Sequence, residues 1–330
     1  MTLQPASLAD LSRLLAECHT AKHPVTSVDL SALAAVREYT PEDMTVTVEA
    51  GMNLAELQCL LAERGQWLPI DPPHAYRVTI HQLLSENLSG PRRCGFGTIR
   101  EHLIGLEAVL ADGRVTHSGG RVVKNVAGYD VMKLFVGARD SLGIISAATF
   151  KLRPLPAAEE FASVNFNTLD EALATVESVL SSPLTPVALD LDNLQVVPGQ
   201  PFKFTLCAAF AGTEEEVAWQ RAEAARLGFP ASTSPPATGL RAGVRPTPLP
   251  RDGIFWNDPS ALVSHCSVLP SNLGAALASL AQTPFIARAA NGIIHHRGTP
   301  QPRAVASPSM LTQRLKDTFD PNHTLPAVPL

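Results

Sequence analysis

Residues 119–130 read GGRVVKNVAGYD. Gly119, Gly120 and Gly128 share the stretch with Arg121, Lys124, Asn125 and Asp130. Its apolar positions (Val122, Val123, Val126, Ala127) keep neither a helical nor a strand period. Glycine permits both close backbone approach and positive φ. Such a loop is built either to pass close to another group or to leave a hairpin with a solvated Arg and Lys. The flanking sequence has to choose between these readings.

Upstream, 103-LIGLEAVLA-111 reads as a strand. It runs into Asp112-Gly113 and then 114-RVTHSG-119, and an Asp-Gly pair between two such runs predicts a hairpin. Downstream, Asp130 is placed to cap a helix over 131–137, and 143-GIISAATFKLRP-154 is a further strand closed by prolines. Nearer the N-terminus, Ser7 caps an amphipathic helix that begins at Leu8. Residues 25–30 and 44–49 are β-rich, and Asn53 opens a short helix that stops at Gly65. Beyond Pro154–Ala158 the pattern changes. Thr168–Glu171 and Thr213–Glu216 are capping boxes, each opening a helix of about four turns. Strand-like runs precede them (161–166, 202–210) and follow them (186–192, 262–269). Two β-α-β units in succession predict a ferredoxin-like α+β sandwich, with the Pro/Ser/Thr-rich stretch from Phe229 to Pro250 as a surface excursion.

The composition is that of a globular chain: 330 residues, 45% hydrophobic, 17% charged, formal net charge −5. That length accommodates two domains, and the charge gives no basic footprint for nucleic acid. The N-terminus lacks the basic and apolar regions of a secretory signal. No run reaches the roughly 18 apolar residues of a membrane span. The five cysteines (Cys18, Cys59, Cys94, Cys207, Cys266) are scattered, without zinc or iron–sulfur spacing. Reduced thiols and a cytoplasmic protein are the expectation.

Three segments together carry a resemblance: 41-PEDMTVTVEAGMNLAELQCLLAERGQWLPIDPP-73, 89-SGPRRCGFGTIREHLIGLEAVLADG-113, and the run from Gly119 through Pro154. They resemble the FAD-binding domain of the vanillyl-alcohol oxidase (PCMH) type. Within that family they are most similar to the FAD-binding E subunit of glycolate oxidase. The likeness returns weakly at 311-LTQRLKDTFDPNHTLPAVP-329. It implies an α+β fold: a PCMH-type FAD-binding domain of two small subdomains over residues 1–156, then a ferredoxin-like cap over 157–330 with a C-terminal helix and tail. It also implies non-covalent FAD, a small 2-hydroxy acid as substrate, and a catalytic flavoprotein and an iron–sulfur protein as partner subunits. The cofactor-binding residues implied are Ser89, Gly90, Gly95 and Thr98 along the flavin and its ribityl-phosphate arm. Gly119, Gly120, Lys124 and Asn125 would lie at the flavin and pyrophosphate, and Gly143 and Ile145 at the adenine. Pro69, Ile70 and Asp71 match a structural element of the family. Arg92 and Arg93 are surface charges or phosphate contacts.

Two departures weaken the FAD reading. No glycine precedes Gly51, so the family's glycine-rich phosphate turn is missing. Its T-I-G-G motif stands here as Thr79-Ile80-His81-Gln82, which would aim two side chains toward the pyrophosphate unless they donate in place of lost amides. The family's catalytic histidine motif is absent. His295-His296 would alternate faces on a strand, one buried and one exposed, and His102 reads as a helix-turn surface residue. No serine-nucleophile, Walker or Rossmann motif is found, and no metal ligands are assigned. Three functions stand open: FAD-binding subunit of a glycolate-oxidising complex, flavin-less structural subunit of that complex, or a stand-alone flavin oxidase.

Overall fold

The computed structural model describes residues 1–120, 130–194, 203–230, 237–238, 249–257, 262–280, 283–298 and 309–329. β1 (Thr2–Leu3) pairs in parallel with β2 (Ser27–Val28), a shorter strand than residues 25–30 predict. β3 (Val36–Thr40) and β4 (Thr45–Glu49) form a hairpin; β5 is Gln66–Trp67, β6 Leu103–Val109, β7 Val115–Gly119, β8 Ile144–Lys151 and β9 Arg153–Pro154. Five of these make an antiparallel sheet in the order β3-β4-β8-β6-β7, and β5 pairs with β9. The predicted hairpin turn is present: Gly113 takes φ +84° and its N–H donates to Leu110 O at 3.0 Å.

The strands β10 (Ala158–Phe166), β11 (Ala188–Asp192), β12 (Phe204–Gly212), β13 (Ala237–Thr238), β14 (Val263–Ser267), β15 (Phe285–Arg288) and β16 (Ile293–Arg297) form the second sheet. Its order is β13-β10-β12-β11-β15-β16-β14, antiparallel throughout. The result is a mixed α+β fold, as the sequence predicts.

The helices are α1 (Leu8–Ala21), α2 (Leu54–Ala62), α3 (Ile80–Ser85), α4 (Arg93–Phe96), α5 (Ile99–His102), α6 (Met132–Phe135), α7 (Leu169–Leu180), α8 (Glu214–Arg226), α9 (Pro250–Trp256), α10 (Leu273–Leu280) and α11 (Met310–Phe319). Their starts follow the sequence. Ser7 Oγ accepts from Asp10 N, Asn53 Oδ1 accepts from Ala55 N at 2.8 Å, and both predicted capping boxes close. Two expectations fail. The helix over 131–137 shrinks to the single turn of α6, and Asp130 does not cap it; its carboxylate pairs with Lys133 at 2.5 Å instead.

Each sheet has its own apolar core. Leu11, Leu15, Leu54, Leu57, Leu61, Ile80 and Leu84 pack with Val48 and Phe150 around the first. Val176, Leu206, Phe210, Val217, Leu277 and Phe285 pack around the second. Each fully buried Leu or Phe contributes about 1.5–3 kcal/mol before entropy is subtracted. α11 and the tail return to the first core. Leu325 is buried in it, the Phe319 and Phe135 rings meet edge to face at 5.8 Å, and Val25 N donates to Thr324 O. Among the described residues, no helix is long and apolar enough to cross a membrane.

Candidate functional site

The hairpin β6–β7 delivers Gly119 and Gly120 to the start of the glycine-rich loop. A Cβ on Gly119, whose φ is +78°, would lie 2.2 Å from Ile104 O, and Gly120 N donates to that same oxygen at 3.0 Å. The close approach needed here is thus to β6 itself. Gly119→Ala combines a clash with a left-handed φ and should lower stability by about 1–3 kcal/mol. A shift in the urea midpoint at unchanged slope checks it; a midpoint equal to wild type would show that the turn relaxes freely. Lys124 and Asn125, with the rest of 121–129, lie outside the described residues.

The other sequence-derived positions separate into two groups. Ser89, Gly90, Gly95 and Thr98 run along one turn and the short helix α4. A Cβ on buried Gly90 would lie 1.8 Å from Asp71 O, and one on Gly95 would lie 2.7 Å from Val187 Cα beside the second sheet. Gly95 N also donates to Val187 O at 3.1 Å. Ser89 is half-buried, and Thr98 closes a capping box with Glu101 on α5. Gly143 and Ile145 lie at the start of β8, buried in the first core, with Gly143 against Val109 O and the Phe135 ring.

The turn Thr79–Gln82 differs from the sequence reading. His81 is buried, and its Nε2 lies 2.9 Å from Asp140 Oδ1; Gln82 folds back so that its Oε1 accepts from Thr79 N. Neither side chain is held outward toward a phosphate. The backbone is equally committed: Ile80 N donates to Met52 O, His81 N to Ala50 O and Gln82 N to Thr79 Oγ1. The first turn of α3 therefore keeps no spare amide for an anion.

Two further corrections concern burial. Arg92 is not a surface charge. It is 1% exposed, with Nη1 on Asp71 Oδ2 at 2.9 Å and Nε and Nη2 on Glu159 Oε1 at 2.8 and 2.6 Å. His102 is also buried, its Nε2 2.9 Å from Phe96 O, and burial pulls its imidazole pKa below the ordinary value. His295 and His296 do alternate faces. His296 is buried, while His295 is half-buried with its ring 5.0 Å from Trp256, and burial drives its pKa down to about 3.

Arg92 borders a cavity of about 330 Å³ between the turn at residues 70–76 and helix α9 of the second lobe. Pro72, Tyr76 and Trp256 supply apolar and aromatic wall, and Asp71, Arg92 and Asp252 supply the polar edge. Behind that edge, Arg288 Nη1 donates to Asp190 Oδ2 and Nη2 to Asp252 Oδ1, both at 2.6 Å. Sequence reasoning missed Asp190, Asp252 and Arg288. Their partners lie 36 to 98 residues away, and no local period marks such a pair.

The chain thus forms two antiparallel-sheet lobes, one carrying the glycine-rich hairpin, with a cavity bordered by both. Residues 25–119 match the FAD binding domain family. Among curated relatives, glycolate oxidase subunit GlcD of Bacillus subtilis is 34% identical over 155 residues, 47% of this chain and 33% of that protein. Glycolate oxidase subunit GlcE of Escherichia coli is 33% identical over 138 residues, 41% of this chain and 39% of that one. A mitochondrial D-lactate dehydrogenase [cytochrome] of Arabidopsis thaliana is 29% identical over 212 residues, 58% of this chain and 37% of that one. The chain thus spans about a third of the length of these relatives. A solved alkyldihydroxyacetonephosphate synthase matches in fold with a TM-score of 0.71 at 18% identity, covering 98% of this chain and 75% of its own.

The match of residues 25–119 to the FAD binding domain family supports FAD as the cofactor. The residues present fit its two ends differently. A cavity of 330 Å³ is of ligand-site size, and its prolines, Tyr76 and Trp256 suit a flat ring, with Arg92 at the polar edge. When bound, the flavin supplies hydride-accepting chemistry. Pro72, Tyr76 and Trp256 would wall the ring and Arg92 would set the charge at its edge. The α3 turn, its first-turn amides all engaged with protein, would add no donor for a phosphate.

Proposed function

We propose that this chain is the FAD-carrying subunit of a complex that oxidises a small 2-hydroxy acid, glycolate to glyoxylate in the first instance. Electrons would pass to a catalytic flavoprotein subunit and an iron–sulfur subunit. The FAD-binding part would end near residue 156, and the seven-stranded lobe would serve as cap. The observation that carries the reading is the aromatic-walled cavity between the 70–76 turn and α9. It is supported by relatives named as glycolate oxidase subunits and D-lactate dehydrogenases. A cytoplasmic location belongs to the same reading.

A second reading has its own observation. With every first-turn amide of α3 bonded to protein, the chain keeps the fold as a structural subunit without flavin. One measurement separates them: absorbance of the purified full-length protein between about 350 and 500 nm, before and after incubation with FAD and gel filtration. The first reading expects a yellow protein whose FAD is released by acid. A protein that stays colourless after incubation leaves only the second.

A further inference from the structure

Four carboxyl groups and two guanidinium groups occupy the wall between the cavity and the second sheet. Asp71 and Glu159 share Arg92, while Asp190 and Asp252 share Arg288. The two sets act as one cluster: Asp71 feels Arg288 and Asp252, and Asp190 feels Asp252 and Asp71. In the second set, fully ionised, the two carboxylates Asp190 and Asp252 would face the single guanidinium of Arg288 away from water. A buried carboxylate in excess of its counter-charges takes up a proton instead. Asp190 bears the mark of this, since its buried Oδ1 has no hydrogen-bond partner among the described residues. Within the cluster, Asp71 and Asp252 border the cavity, and Asp71 keeps part of its side chain exposed.

We propose that Asp71 is the proton-exchanging residue of the cavity, with Asp190 as a buried reserve behind it. Burial raises the Asp71 carboxyl to about 6, against the opposing pull of Arg92, and raises Asp190 to about 7 against Arg288. Asp71 is faced by Arg92 ahead of α4, Asp252 from α9, Arg288 from β15, and His74 on the cavity lining. Its chemical role rests on the oxidoreductase reading above. Oxidation of a 2-hydroxy acid breaks the O–H and α-C–H bonds and forms C=O. The electron pair leaves with the α-hydrogen as hydride to a flavin-class acceptor, and the O–H proton goes to an Asp71 carboxylate oxygen.

The test uses the full-length protein labelled with ¹³C-carboxyl aspartate, titrated by infrared difference spectroscopy over about pH 5 to 9. Wild type should lose protonated-carboxyl intensity in two steps, near 6 and near 7. Asp71→Asn should remove one titrating carboxyl and bring the remaining step down, because the Asp71 charge raises Asp190; Asp190→Asn should likewise leave a single step. As a second readout on the unlabelled protein, Trp256 fluorescence should follow the same steps, because its Nε1 donates to Asp252 Oδ1. A wild-type spectrum without carboxyl titration in this range overturns the proposal, as does an Asp71→Asn spectrum identical to wild type. FAD uptake, scored separately on the same samples, bears on the oxidoreductase reading alone. A colourless protein with the Asp71 step intact keeps the proton-exchanging residue and removes its redox task.

Discussion

Asp320→Ala is expected to lower the unfolding free energy by about 3–5 kcal/mol, because it strands a buried cation. Asp320 has no exposed surface. It accepts from Lys316 Nζ at 2.7 Å, from Thr324 N and Oγ1 at 3.0 Å each, and from Leu325 N at 2.8 Å. Lys316, itself buried, also donates to Ser141 O, Leu325 O and Pro326 O. One carboxylate thus ends α11, folds the tail back and fastens both to the turn before β8. Burial raises the Asp320 carboxyl, but Lys316 and the tail amides outweigh it and hold the pKa below the ordinary value. A lowered pKa in the folded state gives stability that is present above the unfolded value and lost as pH falls through the folded one. The wild-type advantage over Asp320→Ala should therefore shrink toward acid pH. Urea midpoints at neutral and acid pH measure it. Asp320→Asn, which keeps the acceptor oxygen but not the charge, should fall between the two; a neutral-pH cost below about 1 kcal/mol would mean the tail is not held through this residue.

That tail shows what a sequence can and cannot disclose. The resemblance marks 311–329 as a closing helix and tail, and Asp320-Pro321 reads as a helix stop. Nothing in the local pattern pairs Lys316 with Ser141 O, 175 residues distant. Caps, the Asp112-Gly113 turn and the strand runs were legible because each rests on residues within four positions of one another. The first-lobe hairpin and the β-α-β alternation of the second lobe followed from such local signals. The candidate site was legible in part. Glycines at 90, 95 and 119 do mark close backbone approach, but the partner in each case is this chain's own backbone, which a missing Cβ cannot reveal. Arg92 reads as a surface charge because its carboxylate partners lie 21 and 67 residues away, whereas His102 is buried against Phe96 O only six positions back, a contact that no helical or strand period marks. The sequence predicts an outward His81 because it does not disclose Asp140 as its partner. Asp140 sits at φ +64° and Arg139 at φ +47°, a left-handed turn that neither residue type announces.

Arg92→Met should have the second large effect, and its neighbour provides the control. Positions 92 and 93 are both Arg, yet Arg92 is sealed between Asp71 and Glu159 while Arg93 is half-exposed. Methionine keeps the length of the side chain and removes its charge. Asp71 and Glu159 are then left without their guanidinium, and breaking such a buried pair from one side costs about 3–5 kcal/mol. Arg93→Met should stay within about 0.5 kcal/mol of wild type, as surface substitutions do. The loss at position 92 should also depend on pH. Burial already raises Asp71 to about 6 with Arg92 in place, and removing Arg92 takes away the main opposing pull. A carboxyl with a raised pKa in the folded state binds protons that the unfolded chain does not, so stability falls as pH rises through that range. The gap between Arg92→Met and wild type should be narrow near pH 5 and widest near pH 8. Adding Asp71→Asn and Glu159→Gln to Arg92→Met, which neutralises the stranded carboxylates, should recover much of the loss at the higher pH. Equal costs for the two arginines, or a gap that does not change with pH, would mean that Arg92 is held by packing alone and that the carboxyl cluster behind the cavity carries no excess charge.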